Sequence, residues 1–286
     1  AYERNFKVGT TSSTFTTYSY PVTISTIYPD GSYPDGTGTV GSVSRSSSYS
    51  CSNDVKLENM FLQMSSYYIN ANGYNLTIGR GVQYNANNSS NVASAVYGYY
   101  TTSSGSTTFS KDFTVRIESG KYSDAYMFYS SNTSYNVFYT SSQYTWNMVL
   151  GSDYDRATNA NSKLYITGVT QVGYGFNSIS ASAKIGFKAI SGTFGANTSD
   201  TEFYMGFQNV SSSYDCATPR TLEVLGGEFL GGISGGIEYG VASTTNILTM
   251  RIKGGTIHQY LYGSGQYSAS CGGRKIVITG GTFDAW

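Results

Sequence analysis

The side chains that could carry out acid, base or metal chemistry are few in this sequence, and they are scattered. His258 is the one histidine among 286 residues. A single histidine excludes a metal site built from several histidines, whereas a serine–histidine–aspartate arrangement needs only one and stays open. His258 directly follows residues 254–257, whose glycine pair is typical of a turn. We therefore interpret His258 as a polar residue at a turn.

Acidic side chains would be needed in pairs for a glycoside hydrolase, and in clusters with a basic partner for a polysaccharide lyase. Asp153 and Asp155 form one close pair, with Arg156 beside them. As residues i and i+2 they would share one face of a strand, and they are weak candidates for a Ca²⁺ site. Asp30 and Asp35 fall in two Tyr-Pro-Asp-Gly segments and are interpreted as turn residues. We expect no metal, no cofactor and no catalytic residue, so the chain is predicted not to be an enzyme.

Aromatic side chains are the most positive sign of a function. The sequence contains 28 tyrosines, 14 phenylalanines and 2 tryptophans. Exposed tyrosine and tryptophan rings stack on sugars or on neighbouring subunits at a small cost in entropy. The same rings could instead stack on one another within the fold, and both alternatives stay open. Tyr144 and Trp146 would share one face of a strand and form the candidate contact pair.

Charge and composition argue against some kinds of partner and location and favour others. The chain has 17 basic and 17 acidic residues, and this zero net charge argues against a nucleic-acid partner. No run of about 18 apolar residues occurs, so no membrane span is expected. Charged residues make up 12% of the chain, whereas about 25% is usual, and Tyr, Ser, Thr and Asn are abundant. This composition favours an extracellular or cell-surface location.

Three cysteines, Cys51, Cys216 and Cys271, lie far apart and form no C-x-x-C pair. One disulfide with a free thiol and three buried thiols are both compatible with this number, so the pairing stays open.

Six Asn-x-Ser/Thr sequons are candidate glycosylation sites. Chance produces several of them in a chain so rich in Asn, Ser and Thr. They begin at Asn75, Asn87, Asn88, Asn132, Asn197 and Asn209.

A short unit recurs through the second half of the chain, with the pattern apolar-x-apolar-x-Gly-Gly-x-apolar. Its second glycine falls at Gly192, Gly227, Gly255 and Gly281, so successive copies are about 26 to 35 residues apart. Repeats of this length are typical of solenoids. Alternation puts one face of a strand inward, and the glycine pair allows a sharp turn that a side chain would resist.

The repeat predicts an all-β fold, a right-handed parallel β-helix over residues 51–286 that continues beyond residue 286 in a longer parent chain. Residues 1–50 are predicted to form an N-terminal β cap or a strand-addition segment. Polar-aromatic stretches at residues 84–110 and 126–162 are expected to be enlarged loops or irregular coils. An antiparallel β-sandwich is the alternative fold, and it predicts hairpins roughly every 8 to 12 residues.

The repeat also resembles a known family. Residues 271–283, with Ile-Thr-Gly-Gly-Thr-Phe, and residues 76–82 are similar to long cell-surface proteins of Bacteroidota. Those proteins carry pectate-lyase-like β-helix repeats and are described as adhesin-like. The resemblance covers roughly residues 76–286, and it implies a β-helix at the cell surface.

These observations predict a structural and adhesive segment of an extracellular surface protein or filament, without catalysis. The expected partners are glycans, host or neighbouring surface proteins, and end-to-end copies of the same chain. Two other functions stay open. One is a lyase or hydrolase acting on polysaccharides, and the other is a phage tail-spike or receptor-binding β-helix, which would be a trimer.

Overall fold

The structure is a computed structural model, and it describes most of the chain between residues 16 and 284. The described residues are 16–23, 37–44, 48–57, 60–63, 67–79, 82, 93–132, 135–139, 144–153, 163–175, 178–179, 184–196, 203–208, 218–236, 248–265 and 273–284. Several residues singled out above lie outside these ranges. They are Asp30, Asp35, Asn87, Asn88, Asp155, Asn197, Asn209, Cys216 and Cys271.

Every regular element among the described residues is a β-strand, which confirms the all-β prediction. None of these residues belongs to a helix long and apolar enough to cross a membrane. The strands are β1 (Thr16–Thr23), β2 (Thr37–Ser44), β3 (Tyr49–Ser50), β4 (Val55–Leu57), β5 (Met60–Gln63), β6 (Ile69–Asn70), β7 (Leu76–Ile78), β8 (Ala93–Thr101), β9 (Gly105–Phe109), β10 (Phe113–Ile117), β11 (Gly120–Ser130), β12 (Tyr135–Tyr139), β13 (Thr145–Leu150), β14 (Leu164–Ile166), β15 (Thr170–Tyr174), β16 (Ser178–Ile179), β17 (Lys184–Ala189), β18 (Thr193–Phe194), β19 (Phe203–Gln208), β20 (Arg220–Val224), β21 (Glu228–Phe229), β22 (Ile233–Ser234), β23 (Leu248–Ile252), β24 (Thr256–Ile257), β25 (Leu261–Tyr262), β26 (Arg274–Ile278) and β27 (Thr282–Phe283).

Eight strands form one parallel sheet in the order β26-β23-β20-β17-β13-β10-β7-β4. Their residues are in register, so that Val115 lies opposite both Leu76 and Met148. Neighbouring parallel strands need a long connection, and here the rest of a coil provides it. This pattern of stacked, in-register strands is compatible with a β-solenoid.

A second sheet, of 13 strands, divides into two stacks at β11. The first part of β11 pairs with β14, and its later part pairs with β15. One stack then continues through β18, β21, β24 and β27, and the other through β19, β22 and β25. Consecutive strands such as β20, β21 and β22 therefore lie in three different stacks, and each such coil contributes three strands.

The strands near the N-terminus form a separate three-stranded sheet. In it β1 pairs with β2 in antiparallel fashion, and β2 pairs with β5 in parallel. Because β5 comes from beyond residue 50, this sheet joins the predicted cap segment to the start of the predicted coil. Among the described strands, β1–β2 is the one antiparallel pair, so the described pairing favours stacked coils over the antiparallel sandwich.

The core lies between the sheets and consists of alternate residues of the strands. In β20 and β23, Leu222, Val224, Met250 and Ile252 are completely buried, while Arg251, between the last two, is exposed. A single coil cannot bury such a face, and each coil is covered by the next. The hydrophobic alternation of the repeat thus has the inward role that the sequence predicted.

The second glycine of each repeat has the positive φ that the sequence predicted. The φ angles are 110° at Gly192, 99° at Gly227, 84° at Gly255 and 100° at Gly281. Residues other than glycine rarely adopt this backbone conformation, so the glycine pair ends one strand and sends the chain into the next stack.

The last described coil leaves part of its inward face uncovered. Ile276, Ile278 and Phe283 are 40%, 51% and 39% exposed, although Met250, which lies directly opposite Ile276 on the preceding coil, is fully buried. Within the described residues, β26 and β27 each pair on one side only. This end of the coils is therefore an apolar surface bordered by strand edges.

The two polar-aromatic stretches do not behave simply as enlarged loops. The first contains the long strand β8 and also β9, while β11 runs into the second, which holds β12 and β13. Their inward residues are apolar, as Val96 and Phe128 show, so they take part in the core like other coils. The tyrosines between these apolar residues made the strands resemble polar loops in the sequence.

Candidate functional site: a tyrosine surface on the side of the coils

Six tyrosines come together on the strands β8, β11 and β15 and just before β6, and we call them the tyrosine surface. Its members are Tyr68, Tyr97, Tyr100, Tyr126, Tyr129 and Tyr174. All are half-buried except Tyr97, which is 9% exposed. Every ring has at least one other ring of the group with its centroid within 5.7 Å. The surface is thus a continuous aromatic patch that crosses several coils.

The register of the parallel strands creates this patch. Tyr97 lies opposite Tyr126, and Tyr100 lies opposite Tyr129, in the pairing of β8 with β11. Tyr129 in turn lies opposite Tyr174 of β15. Side chains at equivalent positions of neighbouring parallel strands stand side by side, so the rings form columns across the coils.

The outer column consists of Tyr100, Tyr129 and Tyr174. Adjacent ring centroids are 5.7 Å and 5.3 Å apart, and the ring planes are within 18° and 20° of parallel. The three rings are half-buried, so part of each ring stays accessible beside its stacked neighbours. The column can therefore contact a partner through ring edges and through hydrogen bonds from the phenols.

The inner tyrosines remain neutral at ordinary pH. Burial is the largest cause that raises the pKa of Tyr97 and of Tyr126, and the neighbouring phenols and Asp124 raise it further. Burial also raises the pKa of Asp124, against the hydrogen bond that the Val169 N–H donates to its Oδ1 at 2.8 Å. A neutral phenol both donates and accepts hydrogen bonds, which suits uncharged polar partners.

The structure separates the two members of the expected aromatic contact pair. Trp146 is 0% exposed, and its indole N–H donates a hydrogen bond to the carbonyl oxygen of Lys111 at 3.1 Å. Tyr144 precedes β13 and packs, half-buried, against the edge of the core. Because inward positions of β13 face the core, the Trp146 ring is a packing group and not a surface contact.

Of the candidate glycosylation sites, Asn75 and Asn132 lie within the described residues. Asn75 is exposed, and its Nδ2 donates to Asp54 Oδ2 at 2.9 Å while its Oδ1 accepts from the Thr114 N–H at 2.9 Å. Its side chain thus links three successive coils. Asn132 is half-buried, and its backbone N–H donates to Ser130 Oγ at 3.0 Å.

The acidic residues are dispersed over the described part of the chain. Asp153 is exposed, and the described ranges contain no group of His, Cys, Asp and Glu side chains whose arrangement could hold a metal ion. Glu223 lies on the outer face of its sheet, with Lys253 Nζ at 2.6 Å and Lys188 Nζ at 3.8 Å. The hydrogen bond from Lys253 is the largest cause that lowers the pKa of Glu223.

His258 bridges two carboxylates that the sequence did not associate with it. Its Nε2 lies 3.0 Å from Glu228 Oε1, and its Nδ1 lies 2.9 Å from Asp284 Oδ2. The three side chains come from three successive coils and are 30% to 50% exposed. Exposed contacts of this kind add little stability, so we interpret the group as a weak polar contact between successive coils.

A serine-hydrolase spacing occurs at residues 232–236, which read Gly-Ile-Ser-Gly-Gly. Ser234 is completely buried in β22, and its hydroxyl donates to the carbonyl oxygen of Ser264 at 2.8 Å. This serine is therefore a coil-to-coil hydrogen-bond donor, and its hydroxyl does not face a substrate.

The thiol of Cys51 is free and buried. Burial first, and then the nearby charge of Asp54, raises its pKa to about 12. Since the thiolate is the reactive form, we expect Cys51 to resist iodoacetamide at neutral pH in the folded chain and to react once the chain is unfolded. Mass spectrometry of the labelled chain checks this, and rapid labelling of Cys51 under native conditions would contradict it.

Four of these tyrosines fall in the polar-aromatic stretches at residues 84–110 and 126–162 that the sequence indicated, but the sequence did not identify the surface. The useful signal was the repeated Tyr-x-x-Tyr spacing, at Tyr97 with Tyr100 and at Tyr126 with Tyr129. This spacing predicts contacts between the rings only once the two strands are known to be in register.

Comparison of the chain with family models, with curated proteins and with solved structures finds no match. The function is therefore argued from the geometry of the tyrosine surface and from the stacked coils that carry it.

Proposed function

We propose that the chain is a right-handed parallel β-helix that serves as a structural and adhesive segment of an extracellular surface protein or filament. The tyrosine surface is the observation that carries this proposal. Tyrosine gives a large contact area at low entropic cost, and it combines apolar ring edges with hydroxyl groups. Glycans and neighbouring surface proteins offer matching apolar faces and hydroxyl or amide groups.

The stacked coils support the structural part of the proposal. In-register parallel strands with a continuous core make a stiff support, because each inner coil is held by the coils on both sides of it. Residues far apart in sequence then keep a fixed spacing, as Tyr129 does between Tyr100 and Tyr174. The resemblance of the Gly-Gly-Thr-Phe unit to Bacteroidota surface proteins leads to the same proposal.

Binding of the purified chain to immobilised glucan, mannan and polygalacturonate tests the adhesive role. We expect binding to at least one of them, and we expect Tyr129→Ala to weaken it by roughly 30-fold, as loss of an interface hot spot does. Tyr260→Ala is the matched control, because Tyr260 is 37% exposed but lies on a distant coil. Tyr129→Phe, which keeps the ring, separates the contribution of the hydroxyl group.

Equal binding by Tyr129→Ala and by the unchanged chain, or binding to none of the three polymers, would contradict the adhesive proposal. The same incubations address the two rival functions. Unsaturated sugar ends released from polygalacturonate would establish a lyase instead, and a trimeric mass in sedimentation equilibrium would favour the tail-spike.

A further inference from the structure

The outer tyrosine column places three phenol rings from three successive coils in contact. Tyr100 and Tyr129 are 5.7 Å apart between ring centroids, and Tyr129 and Tyr174 are 5.3 Å apart. All three rings are half-buried, so part of each ring stays accessible at the surface. The strands that carry the three rings are paired in register, so the rings are already in contact in the folded chain.

The outer column has the most nearly parallel ring planes among the contacts within the tyrosine surface, although Tyr97 with Tyr100, at 4.9 Å and 29°, and Tyr97 with Tyr126, at 5.9 Å and 26°, are stacked as well. Its ring planes are within 18° and 20° of parallel, so the adjacent rings lie side by side across neighbouring coils. Tyr126 and Tyr174, in contrast, meet edge to face at 60° and 6.5 Å. Reacting groups that are held near their bonding geometry react as if at very high concentration.

We propose that the outer column is a site of oxidative tyrosine coupling, in which Tyr129 becomes joined to Tyr100 or to Tyr174 by a dityrosine bond. The oxidant is hydrogen peroxide used by a haem peroxidase. Each of two phenols loses one electron and one proton to give a phenoxyl radical, and the radicals couple through the ring carbons next to oxygen. The two hydrogens on those carbons restore the two hydroxyl groups. In total two tyrosines lose two hydrogen atoms, and one hydrogen peroxide is reduced to two waters.

The product would be a covalent cross-link between neighbouring coils. It would tie β8 to β11, or β11 to β15, and would close a loop in the unfolded chain as a disulfide does. The thiol of Cys51 is not suited to such a role, since it is buried and free. This inference goes beyond the proposed function and does not depend on which partner the tyrosine surface binds.

Peroxidase treatment of the folded chain, followed by trypsin digestion and mass spectrometry, tests the proposal. Lys111, Lys121 and Lys163 separate the three tyrosines into different tryptic peptides. We expect a linked pair that contains Tyr129 together with Tyr100 or Tyr174, with a mass two hydrogens below the sum of the two peptides. We also expect dityrosine fluorescence and a higher midpoint of thermal unfolding.

Two variants localise the bond. Tyr129→Phe should abolish both linked pairs, because phenylalanine forms no phenoxyl radical. Tyr165→Phe is the matched control, since Tyr165 shares a tryptic peptide with Tyr174 but lies opposite Lys121 and Thr193, and it should leave the linked pairs unchanged. Retention of the linked pairs in Tyr129→Phe would overturn the proposal. So would cross-links found only between separate chains, or an equal yield from chain unfolded in urea before oxidation.

Discussion

Replacement of Trp146 by alanine is expected to lower the free energy of unfolding by about 3–5 kcal/mol, the usual range for a buried aromatic residue. The indole is fully buried, and its ring lies 4.9 to 5.3 Å from those of Phe109, Phe113 and Phe128. These three phenylalanines come from β9, β10 and β11, which belong to three different sheets. Truncation would therefore open a cavity where the sheets meet.

Urea unfolding followed by circular dichroism measures this change, and two variants serve as controls. Trp146→Phe keeps most of the packing but leaves the Lys111 carbonyl without its indole donor, so we expect a smaller loss. Tyr144→Ala removes a ring from the edge of the core, and we expect a loss near 1 kcal/mol, typical of point mutants. A loss below about 1 kcal/mol for Trp146→Ala would contradict the inward placement of this residue.

Gly227→Ala is expected to be the second most damaging of these substitutions. The backbone at Gly227 has a φ of 99°, and forcing another residue into such a conformation costs about 1–3 kcal/mol. A Cβ atom there would also lie 2.9 Å from Cε2 of Phe194 and 3.1 Å from the carbonyl oxygen of Gly192. Both neighbours belong to the preceding coil, so the overlap would push adjacent coils apart.

Gly263→Ala provides the matched control in the same unfolding experiment. Its Cβ would meet only the Cδ1 atom of Ile276, at 2.9 Å, and this flexible side chain belongs to the partly exposed last coil. We expect this variant to differ little from the unchanged chain. Equal destabilisation by the two alanines would contradict the inference that the repeat needs glycine at position 227 because of its positive φ.

Much of the local structure could be predicted from particular residues. The alternation Leu222-x-Val224 indicated an inward face, and the glycines at 226 and 227 indicated the turn after it. Both signals act over a few residues, because strand alternation and backbone freedom are local properties. At residues 84–110 the sequence left enlarged loops and irregular coils both open, because alternation with tyrosine on the outer face resembles a polar segment, and the structure has the strands β8 and β9 there.

The site could not be predicted in the same way. The spacing of Tyr144 and Trp146 predicted a shared strand face, but a strand's own pattern does not reveal which face meets the core, and Trp146 lies in the core. His258 gave no hint of its carboxylate neighbours, because Glu228 is 30 residues away in sequence. Such contacts depend on the length of every turn in a coil, and those lengths vary from one coil to the next.

By itself, the sequence determined the β-strand class, the position of the sharp glycine turns and the low, balanced charge. Only the tertiary structure decided which of the 28 tyrosines meet, because in-register pairing brings Tyr129 between Tyr100 and Tyr174. The physical reason is that turns and alternation arise from neighbouring residues, whereas stacking joins residues a full coil apart. The tyrosine surface therefore forms only when the coils are stacked on one another.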